Sequence, residues 1–178
     1  MSFFITSDTH FFHRNIIGYC NRPFQSMEQM NEVLIERWNA KVPPDSLVLH
    51  LGDFFVGGKT DEQLALLGRM NGTIVLIQGN HDTRGMSARV RKAFKSAVPN
   101  FRIIGDYAEW YCEHYPKDQW YGQLQGVLHA HGHSHGNAPR IPCRIDVGVD
   151  PQGFEPLSEL EAFRKLGFGT PSDRKQDE

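Results

Sequence analysis

Five short polar patches, each closing an apolar run, constrain this chain more than any other feature. They are Asp8-Thr9-His10, Gly52-Asp53, Gly79-Asn80-His81-Asp82, His114, and Gly132-His133-Ser134-His135. Singly, each has a bland explanation: an Asp at a strand end caps a turn, and a lone His is commonly structural. Together they supply imidazole, carboxylate and amide donors from both halves of the chain. That is enough for two divalent ions sharing one bridging carboxylate, the equipment for hydrolysing a phosphoester.

The runs between the patches predict the elements. Phe3-Phe4-Ile5 reads as a short buried strand, followed by loop to about Gln25. Ser26 with Gln29 has the form of a capping box. Behind it Met27, Met30, Val33, Leu34 and Trp38 recur at helical spacing until Pro43-Pro44. Ser46 to His50 reads as a strand. Thr60 with Gln63 forms a second capping pattern before Leu64, Leu67 and Met70, a helix expected to end at Asn71-Gly72. Thr73 to Ile77 is β-branched and continuous, as in a strand covered on both faces. A third helix is expected through Val90 to Ala97. Strands then dominate, near 102–104, 108–112, 126–129 and 144–147, before a last helix capped by Ser158 and Glu161. Strand–helix alternation followed by a strand-rich half predicts two sheets face to face with helices outside. We expect one domain over residues 1–166, with 167–178, polar and rich in Pro, Gly and Asp, as a flexible tail.

The patches differ in what they imply. Asp8 and His10 emerge at a strand's carboxyl end, where α/β sheets place their sites. His13 reads as substrate-facing, not as a ligand. Gly52 lets the backbone turn sharply and leaves Asp53 at the mouth of the site, while His50, inside the strand, is expected to pack. Asn80 offers an oxygen suited to a hard ion. His81 beside it can lie near that ion without binding it, a good place for a general acid. Asp82 reads as a cap for the following helix. The run His129-Ala130-His131-Gly132-His133-Ser134-His135 allows two registers, 131/133 and 133/135. Gly132 before and Gly136 after supply tight turns that favour 133/135.

Composition bounds the partners. Lys and Arg number 19 against 21 Asp and Glu, a net charge of −2. No basic stripe marks a dedicated nucleic-acid-binding surface. Cys20, Cys112 and Cys143 are odd in number and far apart, unlike a disulfide framework, so thiols in a reducing compartment are expected. The first residues lack the basic flank and apolar core of a signal peptide. No apolar run approaches the ~20 residues that span a bilayer. The expectation is a cytoplasmic protein without membrane association.

In this order the motifs resemble those of the calcineurin-like metallophosphoesterases, and most closely their small single-domain bacterial and phage-type members. Arg22-Pro23-Phe24 and Asp146-Val147-Gly148-Val149-Asp150 are further echoes, and the resemblance runs from about Phe4 to Asp150. It implies a four-layer αββα sandwich. It also implies that Asp8, His10 and His135 hold one metal, that Asn80, His114 and His133 hold the other, and that Asp53 bridges them. His81 takes the catalytic, non-ligand position. Two departures stand out: the extra His-x-His steps before the last motif, and Glu113 beside His114, an acid expected to alter the charge around the metals.

These readings predict a phosphoesterase with two divalent ions and a bridging hydroxide as nucleophile, His81 being the general acid. Mixed N/O donors suit manganese best, with iron, zinc or nickel as alternatives. The substrate is expected to be a phosphoester small molecule or a nucleotide, with diesters favoured because no large capping insertion is present. Arg14, Arg22, Arg84 and Arg140 lie near motifs and can clamp a phosphate. Three alternatives compete: a phosphomonoesterase using the same site, a non-catalytic metal-binding scaffold, and a single-zinc hydrolase. The last lacks His-Glu-x-x-His spacing and leaves Asp53 and Asn80 unused.

Overall fold

The structure, a computed structural model, describes residues 2–169; the expected tail therefore lies mostly outside the described residues. Among the described residues nine strands run in chain order: β1 (Phe4–Thr6), β2 (Leu47–His50), β3 (Thr73–Ile77), β4 (Ser96–Val98), β5 (Asn100–Ile104), β6 (Glu109–Glu113), β7 (Leu128–His131), β8 (Arg144–Asp146) and β9 (Leu157–Ser158). The helices are α1 (Ile16–Tyr19), α2 (Met27–Lys41), α3 (Thr60–Leu67), α4 (Asp82–Gly85), α5 (Ala88–Arg91) and α6 (Glu159–Lys165).

They build an α/β sandwich of two mixed sheets flanked by helices. The first sheet has the order β4-β3-β2-β1-β9, parallel except for β9. The second has the order β5-β6-β7-β8, with β5 antiparallel to β6 and the rest parallel. Strand side chains alternate between faces, and that alternation sorts the core. Ile5, Leu49, Val75 and Ile77 meet Trp110, Cys112, Leu128, Ala130 and Ile145 between the sheets. Val48, Ile74 and Leu76 point the other way, onto Met30, Leu34, Ile35 and Trp38 of α2 and Leu66 of α3. Each buried Val, Leu, Ile or Met among them contributes roughly 1.5–3 kcal/mol. The far face of the second sheet is covered more thinly: Trp120, from the loop after β6, lies over His129 with ring centroids 5.3 Å apart.

Several local expectations shift. Ser26 Oγ accepts from Gln29 N at 3.1 Å, but the Gln29 side chain returns to Gln25 N, one residue before the cap. The cap of α3 lies one residue earlier than expected, with Glu62 accepting from Lys59 N. The Gln63 amide is buried and donates to the Gly57 and Gly85 carbonyls, tying two site loops together. That helix stops at Leu67, before Asn71-Gly72. The helix expected through Ala97 is only the single turn α5. Ser96–Val98 pairs with β3 as a strand, because an open sheet edge satisfies backbone groups that a short isolated helix leaves free.

The two sheets meet where β1 ends. Ser7 bridges Gly148 in parallel and Val149 N donates to Ser7 O at 3.0 Å, while Gly132 N donates to His114 O at 3.0 Å and prolongs the β6–β7 pairing to the same edge. The carboxyl ends of β1, β2, β3, β6, β7 and β8 therefore open onto one shared edge, and all five polar patches follow those ends.

Candidate metal centre

Asp8 and His10 lie just past β1, Asp53 past β2, Asn80 and His81 past β3, His114 at the end of β6, and His133 and His135 past β7. Asp8, His10, Asp53, His133 and His135 all have positive φ, between 47° and 65°. Left-handed backbone at non-Gly residues costs on the order of 1–3 kcal/mol each and gathers at functional sites. Gly79 is required for space: a Cβ there would collide with Asp53 Oδ1.

The donor atoms fall into overlapping groups. Asp8, His10 and His135 bring potential ligand atoms within 4.8 Å of one another, as do Asp53, His114 and His133. Asp53 also groups with His10 and His81. Its Oδ2 lies 3.7 Å from His10 Nε2 and 3.5 Å from His114 Nε2, so one carboxylate faces both clusters. Asn80 Oδ1 is 3.1 Å from His114 Nε2 and so adjoins the second cluster.

Unpaired groups test whether cations fit here. Asp8 Oδ1 and both ring nitrogens of His10 are buried without a hydrogen-bond partner among the described residues. An unsatisfied buried group costs about 1–3 kcal/mol, and a charged one more. Burial, chiefly, pushes the Asp8 carboxyl up to about 8 and holds His10 well below the usual imidazole range. His114 makes the same point by tautomer. Its Nδ1 donates to the Leu51 carbonyl at 2.8 Å. Burial keeps the ring below its ordinary range and hence neutral, so Nε2 turns a lone pair toward two oxygens, Asn80 Oδ1 and Asp53 Oδ2. Acceptors facing acceptors are relieved by a cation among them, and the donor set fits divalent metal ions.

A supporting layer holds these groups. Arg22 is buried, donates from Nε and Nη2 to the two oxygens of Asp150, and reaches the backbone carbonyls of Asp8 and Thr9. Its donors are engaged within the protein, so it does not serve as the phosphate clamp considered from sequence. Asp150 in turn accepts from His135 Nδ1 at 2.7 Å, which leaves Nε2 as the free donor atom. Burial works against a charged His135, yet the Asp150 hydrogen bond and the nearby Asp8 raise its pKa above the ordinary value. The Asp82 carboxylate accepts from Asp53 N, Phe54 N and Gly79 N, pinning two site loops instead of simply capping α4. Asp146 accepts from Ser134 Oγ and Gly136 N and fixes the loop of His133 and His135.

His129 and His131 face elsewhere. His129 Nδ1 donates to Tyr111 O and its Nε2 accepts from Lys117 N, so both nitrogens are engaged. His131 Nδ1 donates to Gly132 O. His50 is buried in β2 beside Thr9, packed as expected. Glu113 turns away from the donor clusters: it accepts from Tyr111 OH and pairs with Lys117 at 3.0 Å, which absorbs its charge.

His81 is the open member of the cluster. Its side chain is 41% exposed against 2% for His10, and its backbone N–H donates to Asp53 Oδ1 at 2.9 Å. His13 lies beside it, ring centroids 6.1 Å apart. A cavity of about 740 Å³ adjoins His81, lined also by Arg84 and Tyr115. Arg14 is exposed and outside that cavity, and Arg140 lines a different one. Tyr115 carried no signal in the sequence beyond following His114. Its ring packs against His114 and His133 at 4.9 and 4.6 Å.

A profile described as calcineurin-like phosphoesterase matches residues 1–174. The uncharacterized protein MJ1445 of Methanocaldococcus jannaschii is 38% identical over 171 residues, covering 92% of this chain and 89% of that protein. Among solved structures, the protein of unknown function AQ665 from Aquifex aeolicus superposes with a TM-score of 0.74 at 24% identity, over 92% of this chain and 98% of that one. This last likeness speaks to the fold alone.

Proposed function

The chain belongs to the calcineurin-like phosphoesterase family, and from that premise we propose that this metal-dependent phosphoesterase hydrolyses phosphodiesters using two divalent cations, manganese first among them. The observation that carries the reading is Asp53, whose Oδ2 faces both donor clusters. Asp8, His10 and His135 would hold one cation and Asn80, His114 and His133 the other, with Asp53 between. Bound there, the cations supply an activated water and neutralise charge developing on the phosphoryl oxygens.

The remaining work falls to the chain itself. His81 is open to the cavity and serves as proton donor to the departing oxygen. His13 and Arg84 contact the substrate, with Arg14 at the outer margin. Arg22 and Asp150 orient His135, and Asp82 fixes the loops that carry Asp53 and Asn80. Nitrogen and oxygen donors mixed in both clusters favour manganese, with iron, zinc or nickel able to replace it. Diesters are preferred because the space beside His81 accommodates a second esterified group.

Among the described residues no helix is long and apolar enough to cross a membrane. The three cysteines are free, consistent with a cytoplasmic setting and a phosphoester small molecule or nucleotide as substrate. A panel of mono- and diesters assayed with manganese, then with chelator, tests this function. Chelator-sensitive turnover favouring diesters supports it; a preference for monoesters assigns the same site to phosphomonoester hydrolysis.

A further inference from the structure

The cavity beside His81 has walls of three kinds. Arg84 is exposed and has no carboxylate partner among the described residues. Tyr115 keeps 41% of its surface open although two imidazoles brace its ring. Val56 and Pro99 supply apolar surface. An unneutralised guanidinium near a braced aromatic ring suits a ligand with a flat ring and an anionic group. At about 740 Å³ the space falls within the ~300–1,000 Å³ of small-molecule pockets.

Position decides which part of a substrate enters. The group beside a proton donor is the one that departs, and His81 lines this cavity. We infer that the cavity is a leaving-group subsite for a nucleotide: its base lies against Tyr115 and its own phosphate meets Arg84. This rests on His81 acting as the acid, as proposed above. The substrate is then a phosphodiester whose leaving alcohol is a nucleotide hydroxyl. One water is consumed: its oxygen bonds to phosphorus, the bond from phosphorus to the nucleotide oxygen breaks, and that oxygen leaves with a proton from His81. His81 regains a proton from the water, and the products are a phosphomonoester and the free nucleotide.

The test is calorimetric titration of the manganese-loaded enzyme with thymidine 5′-methylenephosphonate, a nucleotide analogue that resists hydrolysis. Saturable binding is expected, weakened at least 10-fold by Arg84→Ala or Tyr115→Ala and retained in Tyr115→Phe. Thymidine and ribose 5-phosphate, each lacking one half of the ligand, should bind at least 10-fold more weakly. Equal affinity across these variants, or ribose 5-phosphate binding as tightly as the analogue, overturns the inference. Diester hydrolysis assayed in parallel separates the two claims. The expected titration without diester turnover leaves the subsite standing and removes the diesterase reading. Turnover with no saturable binding removes the subsite alone.

Discussion

Arg22 grips Asp150 through two parallel hydrogen bonds, Nε to Oδ1 at 2.8 Å and Nη2 to Oδ2 at 2.9 Å, beside the cluster of Asp8, His10 and His135. The same Oδ2 accepts from His135 Nδ1. A buried cation thus fixes a carboxylate, and the carboxylate fixes the tautomer of an imidazole grouped with Asp8 and His10.

Asp150→Asn should therefore weaken metal binding by about 10–100-fold, the usual effect of losing a carboxylate behind a ligand histidine. The chain should remain folded, because an Asn oxygen in the Oδ2 position still accepts from Arg22 Nη2 and His135 Nδ1, and only the Arg22 Nε bond is lost. Titration of manganese into wild-type and variant protein checks this. Unchanged affinity would make the Arg22–Asp150 pair a purely structural strut.

The imidazole register gives a second prediction. His133→Ala and His135→Ala should each deplete metal, whereas His129→Ala and His131→Ala should retain it, since His129 has both nitrogens occupied by backbone groups. Elemental analysis of the four variants decides. Metal loss in the His131 variant with His135 dispensable would shift the register by one step.

The strands and the polar patches were legible because each patch breaks a short apolar run, and runs of that kind report burial directly. Ser158 and Glu161 likewise announced the start of α6, and both halves of that capping box form. What the sequence concealed depends on distant partners. Ser96–Val98 is a strand because β3 offers it an edge. Arg22 reads from sequence as a cation able to clamp a phosphate, yet a carboxylate 128 residues away draws it inside. Tyr115 matters through ring contacts to His133, which no local pattern encodes.

Burial gives a pH prediction with a definite sign. The His129 imidazole, held chiefly by burial, is lowered to about 4 from an ordinary 6.5. The unfolded chain therefore takes up this proton first as pH falls. The contribution of His129 is whole above pH 6.5 and is lost progressively toward pH 4, by up to about 1.4 kcal/mol per pH unit. Urea denaturation of wild type and His129→Gln across this range should show the difference moving in favour of the variant as pH drops. A difference independent of pH would mean His129 is not held neutral by the fold.

His81→Ala should retain both metals while kcat falls by about 10²–10⁴-fold, the range for a lost general acid. The loss should shrink for nitrophenyl esters, whose leaving group needs little protonation. Equal losses for poor and good leaving groups would leave His81 only a charge-stabilising role. Metal loss would make it a ligand, as its grouping with His10 and Asp53 permits geometrically.

Asp53 is where the two clusters join, so the dinuclear account stands or falls on it. The direct measurement is metal content together with turnover of a nitrophenyl diester in Asp53→Asn, beside manganese-loaded wild type. Two metals per wild-type chain, reduced occupancy in the variant, and loss of most activity with it are the expected result. A variant that keeps two metals and near-normal turnover would contradict it.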